Sequence, residues 1–236
     1  MLFLLTGDVQ IGKTRWLENL CASLQAAGTC VAGVVAPGQW VPRPEGQPGG
    51  KHGFDGAGRF EKLGIDNVLL PQGERIGFAR RRDLATEGKA FAEGAQAKAA
   101  KLGWAISDDA IAQVNAHFAA LAKQAGITPA DDGADDPAAA QAAADEPQLA
   151  PHAMLVVDEL GRLELLRGCG LTNALTILDA GPTPQFPHAI AVVRETLLND
   201  ARRRFEPRWG KATAIGPDDA SRELVLETVK VTGSAR

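Results

Sequence analysis

The chain has 236 residues, 45% of them apolar, enough for a sizeable core and at the upper end of what one domain holds. Its net charge is −4, but six of the acidic residues, Asp131, Asp132, Asp135, Asp136, Asp145 and Glu146, fall between Pro129 and Pro151, where no Lys or Arg stands; the remainder is close to neutral, which argues against nucleic-acid binding through a large basic face. Three widely spaced cysteines (Cys21, Cys30, Cys169) make neither a disulfide framework nor a zinc cluster and point to a reducing cytoplasm, and no apolar run reaches the roughly 18 residues of a membrane span.

Leu2 to Leu5 is a continuous apolar run that stops at Thr6-Gly7, the pattern of a strand buried on both faces in a parallel sheet. It lacks a basic flank and is too short for a signal peptide. From Lys13 to Ala27, Trp16, Leu17, Leu20 and Leu24 recur at helical spacing and Gly28 supplies a stop. Val31 to Ala36 reads as a second strand, completing a strand, helix, strand unit of an α/β fold.

Pro37 to Gly58 is rich in Gly and Pro and predicts a long loop without a regular element. Asp66 to Leu70 and Arg75 to Ala79 flank Pro71-Gln72-Gly73-Glu74 and predict a hairpin. A weak Ala-rich helix is expected over Glu87 to Lys101, and a stronger one capped by Ser107-Asp108, with Ile111, Val114, Phe118 and Leu121 on one face. Pro129 to Pro151, almost wholly Ala, Asp, Pro, Gln and Gly, is too poor in large apolar groups to offset the entropy of ordering it and is read as a disordered insertion within a single domain. Beyond it come apolar strands at Ala153 to Val157 and Ala189 to Val193, and helices around Leu171 to Asp179 and Glu195 to Phe205. A strand near Ala212 to Ile215 and a helix opening at Pro217-Asp218-Asp219 close the chain. Such alternation implies a mostly parallel sheet with helices on both sides.

Gly7-Asp8-Val9-Gln10-Ile11-Gly12-Lys13-Thr14 matches GxxxxGK[ST] at every fixed position, at the junction where a strand turns into a helix. There the glycines let the backbone curl so that amide N–H groups face phosphate oxygens, and the helix end adds partial positive charge. Lys13 is expected to reach the β- and γ-phosphates and the Thr14 hydroxyl to ligate Mg²⁺; Arg15, the next residue, is grouped with the nucleotide-binding set. Asp158, at the end of Met154 to Val157, is expected to hold Mg²⁺ from a strand neighbouring the first, and Glu159 to polarise an attacking water. An apolar strand also ends in acidic residues simply on meeting solvent, so the assignment draws its force from the phosphate loop.

Asp158-Glu159-Leu160-Gly161-Arg162-Leu163-Glu164-Leu165 resembles the DExGxxEL signature of the nucleoside-triphosphatase family that includes cancer-related nucleoside-triphosphatase. The phosphate loop sits at the extreme N-terminus as it does there, and the resemblance extends to Val31 to Pro37, the Gly73 hairpin and Ala191 to Arg194. It implies a three-layer, RecA-like P-loop fold with a β-hairpin excursion, and Mg²⁺-dependent hydrolysis of NTP to NDP and phosphate with broad base selectivity. The acidic insertion and the long loop after Pro37 depart from the family pattern, so the lid and the nucleobase pocket are not carried over.

Arg194 follows a strand at a position where P-loop folds place a γ-phosphate sensor; it reads equally as an arginine opening the next helix. Gly161 and Glu164 are expected to shape the turn after Glu159. Arg80-Arg81-Arg82 and Arg202-Arg203-Arg204 fit a kinase lid or an arginine finger, or else solvated faces. Trp40 and Phe54 are base-stacking candidates or loop aromatics folded onto the core, and His52, His117, His152 and His188 lack metal-ligand spacing. Two other functions are compatible with the same phosphate site: a small-molecule or nucleotide kinase, which Asp-Glu directly after the strand disfavours, and a nucleotide-dependent adaptor like those of molybdenum-cofactor assembly, weakened by the lack of an NKxD motif. The expected ligand is a nucleoside triphosphate such as ATP or GTP; the sequence names no protein partner.

Overall fold

The computed structural model describes residues 1–43, 59–82, 104–127 and 150–233. The expected helix over Glu87 to Lys101, Phe54, His52 and the acidic insertion up to residue 149 lie outside the described residues.

Five strands form the parallel part of the sheet: β1 (Leu2–Leu5), β2 (Val31–Val35), β7 (Met154–Leu160), β8 (His188–Val193) and β9 (Thr213–Ile215). They lie in the order β2-β7-β8-β1-β9, every neighbouring pair parallel. Beyond β2 the sheet turns antiparallel through β4 (Phe60–Leu70), β5 (Glu74–Arg81) and β6 (Trp104–Ile106), while β3 (Gly38–Pro42) pairs with the first half of β4. The hairpin expected around Gly73 is β4 and β5, with both strands longer than the apolar pattern suggested. The loop expected after Pro37 contains β3, and this is a correction: Gln39, Trp40 and Val41 are only half-buried, and backbone pairing with β4, not an apolar pattern, makes the strand.

Alternation along the central strands divides the core between the two faces. Phe3, Leu5, Val31, Met154, Val156, Ile190 and Val192 pack with Leu17, Leu20 and Leu24 of α1 (Lys13–Ala26) and with Val225 and Val229 of α6 (Asp219–Gly233). Leu2, Leu4, Val34, Leu155, Val157 and Ala191 face the other way. They pack against α2 (Asp108–Gln124), α4 (Thr172–Ala180) and α5 (Leu198–Trp209). A short helix, α3 (Arg162–Arg167), follows β7 directly. The expected cap of α2 is present: Ser107 Oγ accepts from the Ala110 N–H at 3.3 Å, with Asp108 and Asp109 in the first turn and Lys123 in the last, each opposing the helix dipole. Phe118, fully buried in this layer, anchors α2; truncation to Ala there is expected to cost about 3–5 kcal/mol.

β4 is antiparallel to β2 with Val68 opposite Val35, so its first half, Phe60 to Asp66, runs past the carboxyl ends of the parallel strands. The Asp66 N–H donates to Pro37 O at 3.0 Å. With β3 this segment forms a wall beside the edge at which the sequence-predicted site residues gather.

Candidate functional site

The loop between β1 and α1 is held in a curl by its backbone: Gly7, Gln10 and Gly12 all have positive φ, 129°, 66° and 94°. Gly12, in the left-handed region, is the residue from which α1 starts, and its carbonyl accepts from the Trp16 N–H at 2.9 Å. A Cβ there is strained whatever the space around it, which is why this position takes glycine. No acidic residue of α1 itself sits in its first turn, so the helix supplies no charge of its own against the partial positive charge of that end. Lys13 Nζ donates to Gly7 O at 2.9 Å and Asp8 O at 2.6 Å, spanning the curl. Asp8, Val9, Gln10, Ile11 and Arg15 are exposed, Val9 to 71%, so this segment offers mainly its backbone.

Asp158 is buried near the end of β7, where its Oδ2 accepts from the Ala36 N–H at 3.0 Å, and the Thr14 hydroxyl lies close enough to act on the same carboxylate. Burial pushes its pKa up to about 6; the Ala36 bond pulls it back, Glu159 raises it further, and the Thr14 hydroxyl and Lys62 lower it. Asp158 and Thr14 are thus neighbours although nearly the whole chain length up to β7 separates them. Glu159 is half-buried and accepts from Arg194 Nε at 2.7 Å. The β7–β8 register shifts between Val157 and Leu160, where the Asp158–Glu159 peptide is cis.

One topological expectation is corrected. β7 does not neighbour β1, because β8 lies between them. Arg194, the first residue beyond β8, is thereby placed between the strand that feeds the phosphate loop and the strand that carries the two carboxylates. Burial lowers the Lys13 pKa; Glu159, Asp158 and Asp8 oppose that shift and Arg194 adds to it, so these groups feel one another's charge.

Sequence reasoning missed Lys62, which β4 brings to this edge. Its Nζ lies 5.8 Å from the Trp40 ring centroid and 5.6 Å from that of Trp104, and β3 pairs Trp40 directly with Lys62. Burial lowers its pKa, while Asp158 and Glu159 hold it up. The only local signal was a cation inside a strand, and its aromatic partners come from β3 and β6. Trp40 is therefore neither in the core nor free in a loop.

Other candidates resolve differently. Glu164 is buried and bonds the Gly161 N–H at 2.8 Å and the Leu171 N–H at 3.1 Å, so it fastens the turn after β7. Arg81 pairs with Glu61, Arg203 with Asp200, and Arg204 with Asp179 through two nitrogens, which spends those charges on local structure; Arg80 and Arg82 are exposed. His117 Nε2 lies 3.1 Å from Gly33 O. Among the described residues no group of three or more His, Cys, Asp or Glu could hold a metal ion by itself, and no helix is long and apolar enough to cross a membrane.

No protein-family model matches the chain, and no curated protein sequence does. Two solved structures match along its whole length. One is the solution structure of a human cancer-related nucleoside triphosphatase, 17% identical, with a TM-score of 0.51 over 100% of this chain and 98% of that one. The other is the crystal structure of THEP1 from the hyperthermophile Aquifex aeolicus, 13% identical, with a TM-score of 0.53 over 100% of both. The chain has the fold of P-loop nucleoside triphosphatases. At these identities the likeness is one of architecture.

Proposed function

We propose that the chain is a Mg²⁺-dependent nucleoside triphosphatase that hydrolyses NTP to NDP and phosphate with little preference among bases. One observation carries this reading: the ends of β1, β8 and β7 bring Lys13, Thr14, Arg194 and Asp158 to one sheet edge, with Glu159 against Arg194. Ligands of open α/β sheets bind outside the carboxyl ends of the strands, where these residues stand.

The donor set suits Mg²⁺. A hydroxyl and a carboxylate are hard oxygen ligands, and Asp158 is buried with the Ala36 N–H as its hydrogen-bond partner, so a small divalent cation would relieve the cost of its charge. Thr14 and Asp158 are the residues that would hold it. Held there, Mg²⁺ would supply neutralisation of charge on the β- and γ-phosphates.

The chain's own residues supply the rest. The backbone of Gly7 to Gly12 cradles the phosphates, and Lys13 exchanges its bonds to Gly7 O and Asp8 O for phosphate oxygens. Arg194, 57% exposed, is drawn to the γ-phosphate, and its departure frees Glu159 Oε1 to accept a proton from water. A bond forms between the water oxygen and the γ-phosphorus as the bond to the β–γ bridging oxygen breaks. The electron pair leaves on NDP, and Glu159 takes the proton.

The test is a panel of ATP, GTP, CTP and UTP with Mg²⁺ or with a chelator, using wild type and Lys13→Ala. Release of free phosphate from all four, lost with the chelator and in the variant, is the expected result. Full nucleotide affinity in Lys13→Ala overturns the reading, and phosphate recovered on an added acceptor replaces hydrolysis with phosphoryl transfer.

A further inference from the structure

The carboxylates of β7 stand between two lysines. In the sheet order, Lys13 follows β1, two strands to one side of β7, and Lys62 belongs to β4, two strands to the other. Lys13 and Arg194 have tasks in hydrolysis, and Lys62 has none so far. Its setting is nevertheless a built one.

Three features hold Lys62 at the edge. The Trp40 and Trp104 rings, from β3 and β6, both receive its ammonium at cation–π distance, which fixes the direction of a flexible stem. Gly38 lies against that stem: a Cβ there would come within 2.6 Å of Lys62 Cε and 2.5 Å of Trp40 Nε1, so a larger residue would make the lysine or the ring shift. Two residues before Gly38, the Ala36 N–H is bonded to Asp158. The segment that seats the lysine is therefore the segment that seats the carboxylate.

The charge is also kept available. Lys62 is balanced through space by Asp158 and Glu159, with Arg194 opposing, while the nearby Glu61 is taken by Arg81. An ammonium that is partly desolvated and held by aromatic faces interacts strongly with an anion arriving beside it, because little water competes.

We propose that Lys62 donates to the γ-phosphate from the side opposite Lys13 and supplies, within the same chain, the stabilising cation that many P-loop enzymes take from a partner. The proposal rests on the nucleoside-triphosphatase reading. Lys62 makes no covalent change in the step; it bonds oxygens whose negative charge spreads as the β–γ bond breaks. Two consequences follow: the cation distinguishes a triphosphate from a diphosphate, and turnover per chain is independent of protein concentration.

The experiment compares wild type, Lys62→Met and Lys62→Arg. Tryptophan fluorescence follows titration with the β,γ-imido analogue of ATP and with ADP, both with Mg²⁺, and single-turnover hydrolysis of ATP is measured at several protein concentrations. Lys62→Met is expected to bind ADP as wild type does, to bind the triphosphate analogue about tenfold more weakly and to hydrolyse about 10²-fold more slowly. Lys62→Arg is expected to recover most of the rate. A wild-type rate in Lys62→Met overturns the proposal, as does an equal loss of affinity for ADP and the analogue, the mark of a structural lysine. A rate per chain that rises with protein concentration overturns it as well. If Lys62→Met does not fold, Lys62→Gln, neutral and polar, gives the same pair of measurements. Wild type that binds no nucleotide refutes the triphosphatase reading and this inference together; wild type that hydrolyses ATP beside an equally active Lys62→Met refutes this inference alone.

Discussion

Arg194 donates through Nε to Glu159 Oε1 at 2.7 Å, joining the residue after β8 to the end of β7. Side chains 57% and 35% exposed make a surface pair worth no more than about 1 kcal/mol, so its loss has little effect on stability. Its effect on rate is another matter if Glu159 orients water and Arg194 alternates between Glu159 and phosphate. Glu159→Gln is expected to lower kcat at least about 10²-fold with nucleotide affinity retained, and Arg194→Ala about 10- to 10²-fold. Because the two act as a unit, the double variant should be scarcely slower than Glu159→Gln. Phosphate-release rates for the four proteins decide this; multiplicative losses would separate the two residues.

Asp158 gives a prediction in which stability and activity move in opposite directions. Its folded pKa of about 6 lies above the ordinary 3.8, so the folded state holds the proton more tightly. The stability this contributes is complete below the ordinary value and is lost as pH rises through about 6, where a buried charge must be carried. The cost above that pH is about 2–3 kcal/mol. In Mg²⁺-free buffer, Asp158→Asn should therefore match wild type at low pH and exceed it in stability by about 1–3 kcal/mol at pH 8, while losing hydrolysis. Mg²⁺ with nucleotide should raise the wild-type Tm at pH 8 far more than that of Asp158→Asn. Denaturant melts across the pH range, with and without the metal, measure both; a variant no more stable than wild type at pH 8 contradicts the account.

Glu164 belongs to the same signature as Asp158 yet has a different task. Its two oxygens accept from the Gly161 and Leu171 N–H groups, and Ala in its place leaves both donors without that acceptor. A loss of about 2–4 kcal/mol is expected in Glu164→Ala and a smaller one in Glu164→Gln, which keeps one acceptor. The turn it fastens directly follows Leu160, so kcat should fall by less than in Glu159→Gln while nucleotide affinity is held. Chemical denaturation together with steady-state kinetics tests this, and an Ala variant as stable as wild type would remove Glu164 from the frame.

The parts of this molecule that the sequence announces are those buried on both faces. β1, β2, β7 and β8 are continuous apolar runs because a parallel sheet covered by helices on both sides demands them, and the phosphate loop is written in adjacent residues. The hairpin edge is different: Gln39, Trp40, Val41 and Pro42 form an edge strand whose backbone pairing leaves no apolar signature, and Pro42 is tolerated at its end. Lys62 was illegible because its meaning depends on Trp40 and Trp104, contributed by two other strands. The place of Arg194 between β1 and β7 was hidden for a related reason, since a sequence gives the order of elements along the chain and not their order across a sheet.

Cys21 offers a way to follow the opening of the site without any enzymatic readout. It lies on the inner face of α1, the helix that begins at the phosphate loop, and burial pushes its thiol up to about 12. The thiolate is the reactive form, so at pH 8 the folded protein should leave Cys21 unmodified while the half-buried Cys30 and Cys169 react earlier. Labelling of Cys21 then requires α1 to leave the sheet, and its rate reports that opening. Nucleotide with Mg²⁺ binds the closed form and should slow the reaction in proportion to saturation, about a hundredfold at a hundred times Kd. Mass spectrometry of peptides after timed alkylation resolves the three sites. Labelling of Cys21 at the rate of Cys169 in the folded protein, or protection indifferent to Mg²⁺ and nucleotide, would show that α1 and the phosphate loop are not coupled as their shared backbone implies.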